Sequence, residues 1–541
     1  MNSVGERAAT VAALVKARAV DDRIGLIGSD RSWSWREVVA ESAARARWLH
    51  TQLDWDRPPH VGILLPNVAE YVFQIFGAAL AGACVVGLNP TRRGAELRRD
   101  IEHTDCQITL SDATYAGLLD DEPIRIEGAP WAAHDGSPPP EADPPASTLM
   151  CMLFTSGSTS APKAVKRSQG RVAGVGSMGL GAEDTIYCPM PLCHGNALSS
   201  TLFPALAGGA RIVLRDRFSA SAWLSDVRTH GVTFTATVGR ALGYILATAP
   251  TPADREHKLR YVLAPEASPR DMADFYDRFG VTVVSGYGSS EGGIMLLPAS
   301  KPGSLGVAPR RADITVVDAS GVECETAQFD SGGRLQNAEQ AIGELVRRDC
   351  ADSFEGYWKN PEAEAERLRG GWFWSGDLAY RDEDGVFWFA GRAGDWLRVD
   401  SENFAASPVE RIIARFEDAA AAAVVGVPDP LAGDQVMAVI EPAAGRAFDP
   451  ESFAAFLEVQ SDLGTKWAPR FVRVTDALPV VGNSKVNKQL LRRQAWLSED
   501  PVWWRPPRTD RYVPMTGHDR ERLRQEFESH GRISAYPALQ D

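Results

Sequence analysis

The chain has 541 residues, 44% of them hydrophobic and 24% charged, with a formal net charge of −14. That length exceeds one ordinary core and predicts two or more domains, and the composition is that of a soluble globular protein. The acidic balance argues against a general nucleic-acid binder, which needs a basic surface to neutralise phosphates, yet leaves room for a small anionic ligand held by local N–H groups and a lysine.

The first residues, MNSVGERAATVAALVKARAV, mix charges into a short apolar pattern and predict an amphipathic helix rather than a signal peptide. No stretch reaches the roughly 18 apolar residues of a membrane span. From residue 20 onward, apolar runs alternate with helical patterns: a strand over 60–66, a helix over 68–84, a strand over 85–88 and a helix from Gly94. Strand, helix and strand in quick succession predict a parallel α/β sheet. The rhythm recurs through 185–191, 210–215, the run from Val232 and the run from Val281. Residues 118–147, acidic and proline-rich, predict a surface loop. Short alternating strands over 311–390 predict a β-rich subdomain, and the segments 419–440 and 471–487 a small α+β unit. A tail follows, with Trp503, Trp504 and a charged helix over 518–530. The seven cysteines are scattered, odd in number and without a C-x-x-C pair, which predicts reduced thiols and neither a disulfide framework nor a zinc site.

The segment TSGSTSAPK at 155–163 has two readings. Its backbone N–H groups and hydroxyls can surround phosphate oxygens with Lys163 as a compact cation, or it is a flexible Ser/Gly linker. It lacks the Gly-Lys-Ser/Thr of a Walker A loop. Its company favours the first reading. In order come PLCHGN at 191–196, GYGSSEGG at 286–293, PGSLG at 302–306, GEL at 343–345 and EGYWKNPEA at 355–363. GWFWSGDLAYRDEDG at 371–385, GRAGDWLRVDSENFAASPVE at 391–410, VVGVPDP at 424–430 and NSKVNKQLLR at 483–492 follow. In this order and spacing the motifs resemble the adenylate-forming superfamily of acyl-CoA synthetases, peptide adenylation domains and luciferases. The PKA after the loop, SSEGG, GDWLRVDSEN and the tail DPVWWRPPRTDRYVPMT look like the fatty-acid-transport-protein and very-long-chain acyl-CoA synthetase branch.

The resemblance implies an α/β fold. A large N-terminal domain of α/β sheets with a β-rich subdomain would span 1–393, a small mobile α+β C-terminal domain 394–497, and a tail 498–541. It also implies two half-reactions, in which a carboxylate attacks the α-phosphorus of Mg-ATP to give acyl-adenylate and pyrophosphate, and the thiol of coenzyme A then displaces AMP. It places Thr155, Ser156, Gly157, Ser158, Thr159 and Lys163 around the β- and γ-phosphates, Tyr287 against adenine, Ser290 on the α-phosphate and Glu291 on Mg2+. Asp377 and Arg392 would hold the ribose, His194 the mouth of the acyl tunnel, and Lys485 the reacting carboxylate and phosphate, with neighbouring Lys488 as runner-up. The acyl pocket would be walled by 196–202, 238–246 and 287–294, including Asn196, Gly239, Leu242 and Gly292, and Gly394 would be the hinge.

Taken singly, several of these residues have plainer readings: Glu291 as a helix-start residue, Asp377 as a turn aspartate and Arg392 as a surface arginine. His194 beside Cys193 could form a nucleophilic pair, but no base–orienter set accompanies it. Three positions depart from the family pattern. Ser160 and Ser401 stand where glycine is usual, and Gly394 where Asp or Lys is usual. The expected function is ATP- and Mg2+-dependent conversion of a long-chain, very-long-chain or sterol side-chain acid to its coenzyme A thioester. The alternatives are an acyl-AMP ligase loading a carrier-protein phosphopantetheine, and a catalytically weakened nucleotide- or acyl-binding relative. The expected partners are therefore the carboxylic acid, ATP and coenzyme A, with no nucleic acid. A cytoplasmic location is expected, with peripheral membrane contact through the Trp503–Trp504 tail as an option; oligomeric state is not readable.

Overall fold

The computed structural model describes residues 10–92, 94–155, 163–265, 267, 269–301, 303–331, 335–350, 354–392, 396–399, 402–431, 434–460, 463, 464, 466–481, 485–507, 509 and 511–537. At Thr155, Arg392 and Lys485 the backbone alone is described. The chain divides into two compact units, Met1–Gly303 with Cys350–Gly371, and Ser304–Asp349 with Trp372–Asp541.

The first unit holds two sheets. In one, strands Ile124–Arg125, Cys106–Ser111, His60–Leu64, Cys84–Gly87, Leu149–Thr155 and Lys163–Ser168 lie side by side in that order. All neighbours run parallel except the last pair, an antiparallel hairpin in which Thr155 faces Lys163. His60–Leu64 and Cys84–Gly87 are buried at every residue, as a parallel sheet covered on both faces requires. The other sheet orders Thr282–Val284, Tyr261–Leu263, Phe234–Ala236, Thr185–Cys188, Arg211–Leu214, Ile24–Ile27 and Ser32–Ser34, parallel except for its last strand.

The predicted apolar helix is Ala69–Ala81, buried on nearly every side and ended by Gly82 in the left-handed region at φ 79°. It packs against Trp35–Gln52, which opens on a capping box between Ser34 and Glu37. The two backbones approach at Gly77, where a Cβ would lie 2.7 Å from the Arg45 Cβ and 2.9 Å from the Ser42 carbonyl oxygen. Arg45 is buried there between the carboxylates of Glu41 and Glu70. The proline-rich 118–147 stretch is pinned rather than loose. Trp131 is 3% exposed, sits edge-on to Trp48 at 5.7 Å, and lies under the Arg45 guanidinium at 4.3 Å.

In the second unit, Gly306–Val307, Val386–Arg392, Trp372–Arg381, Gly343–Arg347 and Ile314–Val317 pair antiparallel in that order, the predicted β-rich portion. A further sheet orders Ala419–Pro428, Asp434–Pro442, Phe471–Val474, Val502–Trp504 and Val513–Pro514. The tail thus supplies two of its strands. Trp504 is 2% exposed and stacks on Phe471, Trp503 packs on Phe448, and Leu523 and Phe527 of helix Gly517–Ser529 close the same core. Both tryptophan rings are therefore used in packing against the core, the plainer alternative to membrane contact for this tail. None of the seven cysteines forms a disulfide, and no described helix is long and apolar enough to cross a membrane.

Candidate active site

Ser156, Gly157, Ser158, Thr159 and Ser160 lie outside the described residues, as do Gly394 and Ser401. The described hairpin shows how their loop is carried: it joins two antiparallel strands, unlike a Walker A loop, which opens a helix. Lys163 begins the second strand, 8% exposed, and its Nζ pairs with Glu366 Oε2 at 3.0 Å. Glu366 sits on the short helix Pro361–Arg367. The segment before that helix docks along the same strand, with Lys166 N donating to the Gly356 carbonyl at 3.0 Å and Trp358 N to that of Ala164 at 2.8 Å. Gly356 has φ 85°, and a side chain there would collide with the Glu364 carboxylate. This docking places the Tyr357 ring 6.0 Å from Lys163 Nζ, while the Tyr357 hydroxyl donates to Glu291 Oε1 at 2.9 Å. One aromatic ring thus stands between the two groups expected at the triphosphate and its cation.

Glu291 follows the strand Tyr287–Gly288, which pairs with Met295–Leu296 across a turn. The turn is held from outside by two arginines: Arg167 Nη2 donates to the Ser290 carbonyl at 2.7 Å, and Arg171 Nη2 to that of Gly292 at 2.5 Å. Gly292 has φ 67°, a conformation that favours glycine, and a Cβ on it would push the Arg167 guanidinium, 2.5 Å away at Nη1, from its place. Among the described residues no three or more His, Cys, Asp or Glu side chains gather as a metal site. A cation at Glu291 would be shared between that carboxylate and phosphate oxygens, which is how Mg2+ is usually bound with nucleotides. The site's chemistry fits that ion.

The PLCHGN turn is fixed by Asn67, whose Oδ1 accepts from Leu192 N at 2.8 Å and whose Nδ2 donates to the Met190 carbonyl at 2.7 Å. His194 precedes helix Gly195–Ala197, which runs into a π-helical turn over Leu198–Leu202, a feature common at functional sites. Burial lowers His194 to about 4, so it is neutral at pH 7 and carries no standing charge. Burial pushes the Cys193 thiol up to about 12, which removes the thiolate that a Cys–His nucleophile needs. A Cβ on Gly195 would lie 3.6 Å from Ser290 Oγ, so this turn adjoins the 287–294 segment. Asn196 Nδ2 donates to the Thr237 carbonyl at 3.3 Å, bringing the 237–246 segment alongside as well. Gly239 N donates to the Pro265 carbonyl at the start of helix Gly239–Leu246. Leu242 on that helix is fully buried in the cluster with Trp223, Phe275 and Phe279.

In the second unit Asp377 and Arg392 lie directly opposite each other on paired strands. The WSGD bend is tied down by Ser375 Oγ donating to the Leu345 carbonyl at 2.7 Å and Gly376 N donating to Glu344 Oε1 at 2.8 Å, which gives the GEL motif its role. Lys485 lies on the two-residue strand Lys485–Val486, opposite Val481. Lys488 spends its ammonium on Glu410, with Nζ and Oε1 2.8 Å apart, in a contact that also involves the Val424 amide. Sequence reasoning did not single out Tyr357, Glu366 or Arg167. Arg167 was within reach, because Lys163 and Arg167 share one face of a strand by the two-residue period. Tyr357 lay inside a quoted motif with nothing to say where its hydroxyl points.

The model of the AMP-binding enzyme family matches residues 11–358, and that of the AMP-binding enzyme C-terminal domain residues 408–485. The chain is 48% identical, over 97% of its length and 98% of the relative's, to steroid-22-oyl-CoA synthetase of Rhodococcus jostii. It is 42% identical to the medium/long-chain-fatty-acid–CoA ligase FadD17 of Mycobacterium marinum, over 91% of this chain and 97% of that one. Among solved structures, ATP-bound MatB from Rhodopseudomonas palustris superimposes with a TM-score of 0.78 at 21% identity, covering 90% of this chain and 98% of that chain. That last likeness shows the fold.

Proposed function

The chain belongs to the AMP-binding enzyme family as an AMP-forming acid–coenzyme A ligase, and from that premise we propose that its acid is a sterol side-chain acid or a similarly bulky apolar acid. The observation that carries this is the 48% identity to the steroid-22-oyl-CoA synthetase across almost all of both chains. Small residues at Gly239, Ala241, Gly243, Gly292 and Gly293, in the segments proposed to wall the acyl pocket, suit a bulky apolar acid.

In the first half-reaction negative charge builds on the phosphate oxygens, so groups aimed there dominate the rate. Lys163 and the 155–159 loop would hold the β- and γ-phosphates, and Ser290 the α-phosphate. Tyr287 would cover adenine, and Asp377 and Arg392 would take the ribose. Mg2+ on Glu291 would neutralise part of the triphosphate's charge. His194, kept neutral by burial, would sit beside the incoming carboxylate without competing with Lys485 for its charge. Lys485 is the lysine proposed to bridge carboxylate and phosphate, while Glu410 engages the ammonium of its neighbour Lys488. Coenzyme A would then displace AMP by attack of its thiol on the acyl carbonyl.

The test is ATP–pyrophosphate exchange with purified protein across sterol side-chain acids and medium- and long-chain fatty acids, followed by product detection with coenzyme A. A kcat/KM at least about tenfold higher for a sterol side-chain acid, a difference of about 1.4 kcal/mol, is expected. The reverse preference would overturn the substrate reading. Product formed only with a phosphopantetheinylated carrier protein would move the acceptor reading instead.

A further inference from the structure

We propose that Tyr357 is a positioning residue that fixes the carboxylate of Glu291 for the cation of the Mg2+–ATP complex. The inference rests on the reading of Glu291 as the Mg2+ ligand. Glu291 is 8% exposed, and its Oε1 accepts the Tyr357 hydroxyl at 2.9 Å. With one oxygen occupied in this way, the carboxylate cannot turn freely, and Oε2 becomes the oxygen it presents to a hard cation.

The hydroxyl is held in place independently of Glu291. Tyr357 is 1% exposed, bridges to Val165 through its backbone, and packs edge-on against Phe354 at 5.1 Å. Its backbone N donates to Glu364 Oε1 at 2.7 Å, and Arg367 Nε reaches the hydroxyl oxygen at 3.4 Å. The order Arg367, Tyr357, Glu291 is a line of donors running toward one carboxylate. The same ring lies 6.0 Å from Lys163 Nζ, so this buried side chain stands close to both groups proposed for the triphosphate and its cation. A tyrosine serving only to fill the core would show neither metal specificity nor coupling to Glu291.

The test uses the full chain and separates ATP binding with and without the metal. Tyr357→Phe keeps the ring and removes only the hydroxyl. Calorimetric titration with Mg2+–ATP should show affinity weakened about tenfold, the size expected for losing a hydrogen bond to a charged group, while metal-free ATP in chelator binds within about twofold of wild type. The Mg2+ concentration for half-maximal exchange should rise in parallel, with little change in melting temperature. Glu291→Gln should show the same metal-specific loss, and adding Tyr357→Phe to it should cost nothing more. Equal weakening with and without Mg2+, additive losses in the double variant, or no change in Tyr357→Phe would overturn the proposal. An unaltered Mg2+ dependence in Glu291→Gln would instead remove the reading of Glu291 beneath it.

Discussion

Glu366 shows how one exposed residue can set the working point of a buried one. Its carboxylate is 59% exposed and pairs with a lysine that is nearly buried, so as a contribution to stability the pair is minor. Its consequence lies in binding. With Lys163 proposed as the cation of the triphosphate, phosphate oxygens arriving at Nζ meet a carboxylate of the same sign 3.0 Å from it. Either the carboxylate swings into solvent or the two anions repel. Glu366→Gln should therefore lower the KM for ATP about threefold with kcat nearly unchanged, a difference of under about 1 kcal/mol, measured by pyrophosphate exchange against ATP concentration. A raised KM would mean that the carboxylate orients Lys163 for the nucleotide.

At the scale of elements, legibility followed locality. The strands 60–66 and 85–88 and the helix between them could be read because a doubly covered parallel sheet leaves continuous apolar runs. The helix Trp35–Gln52 was not singled out although its capping box and apolar positions Val38, Val39, Ala46 and Leu49 were present. Its buried face also carries Arg45, whose partner Glu70 lies on another helix. The phosphate-loop reading of 155–163 came from company rather than from its own residues, and the antiparallel register of Thr155 with Lys163 was beyond any local pattern. The C-terminal stretch is the clearest case. Its prolines, arginines and tryptophans read as an appendage, because only pairing with Phe471–Val474, about thirty residues earlier, makes Val502–Trp504 a strand. Trp504→Ala should accordingly destabilise the second unit by about 3 kcal/mol or more, as for a buried tryptophan truncated in a core. Loss of amide-exchange protection across Phe471–Val474 is the readout. Unchanged protection would return the tail to the status of an appendage.

On the scale of the whole molecule, the proposed chemistry is divided between two units. Lys163, Ser290 and Glu291 belong to one, and Asp377, Arg392 and Lys485 to the other. A lysine that serves only carboxylate attack has no task once the adenylate exists, whereas the thiol must still reach the acyl carbonyl. A proposed swing about Gly394, within the second unit, would answer both needs and would make the half-reactions separable by mutation. Lys485→Ala should lower pyrophosphate exchange about a hundredfold or more, yet leave thioester formation from supplied acyl-adenylate within about threefold. Gly394→Pro, which fixes φ near −65°, should do the opposite: exchange within a few-fold of wild type, and the coenzyme A-dependent step slowed about tenfold or more. Glycine offers no side chain to favour one orientation, so the wild-type chain should move between the two half-reactions with less bias than a Gly394→Asp variant. Single-turnover rates of the two steps measured side by side would show this as a ratio nearer to one in the wild type. Equal loss of both half-reactions in Gly394→Pro would assign residue 394 to the integrity of the chain there, and the division of labour would then have to turn about another point.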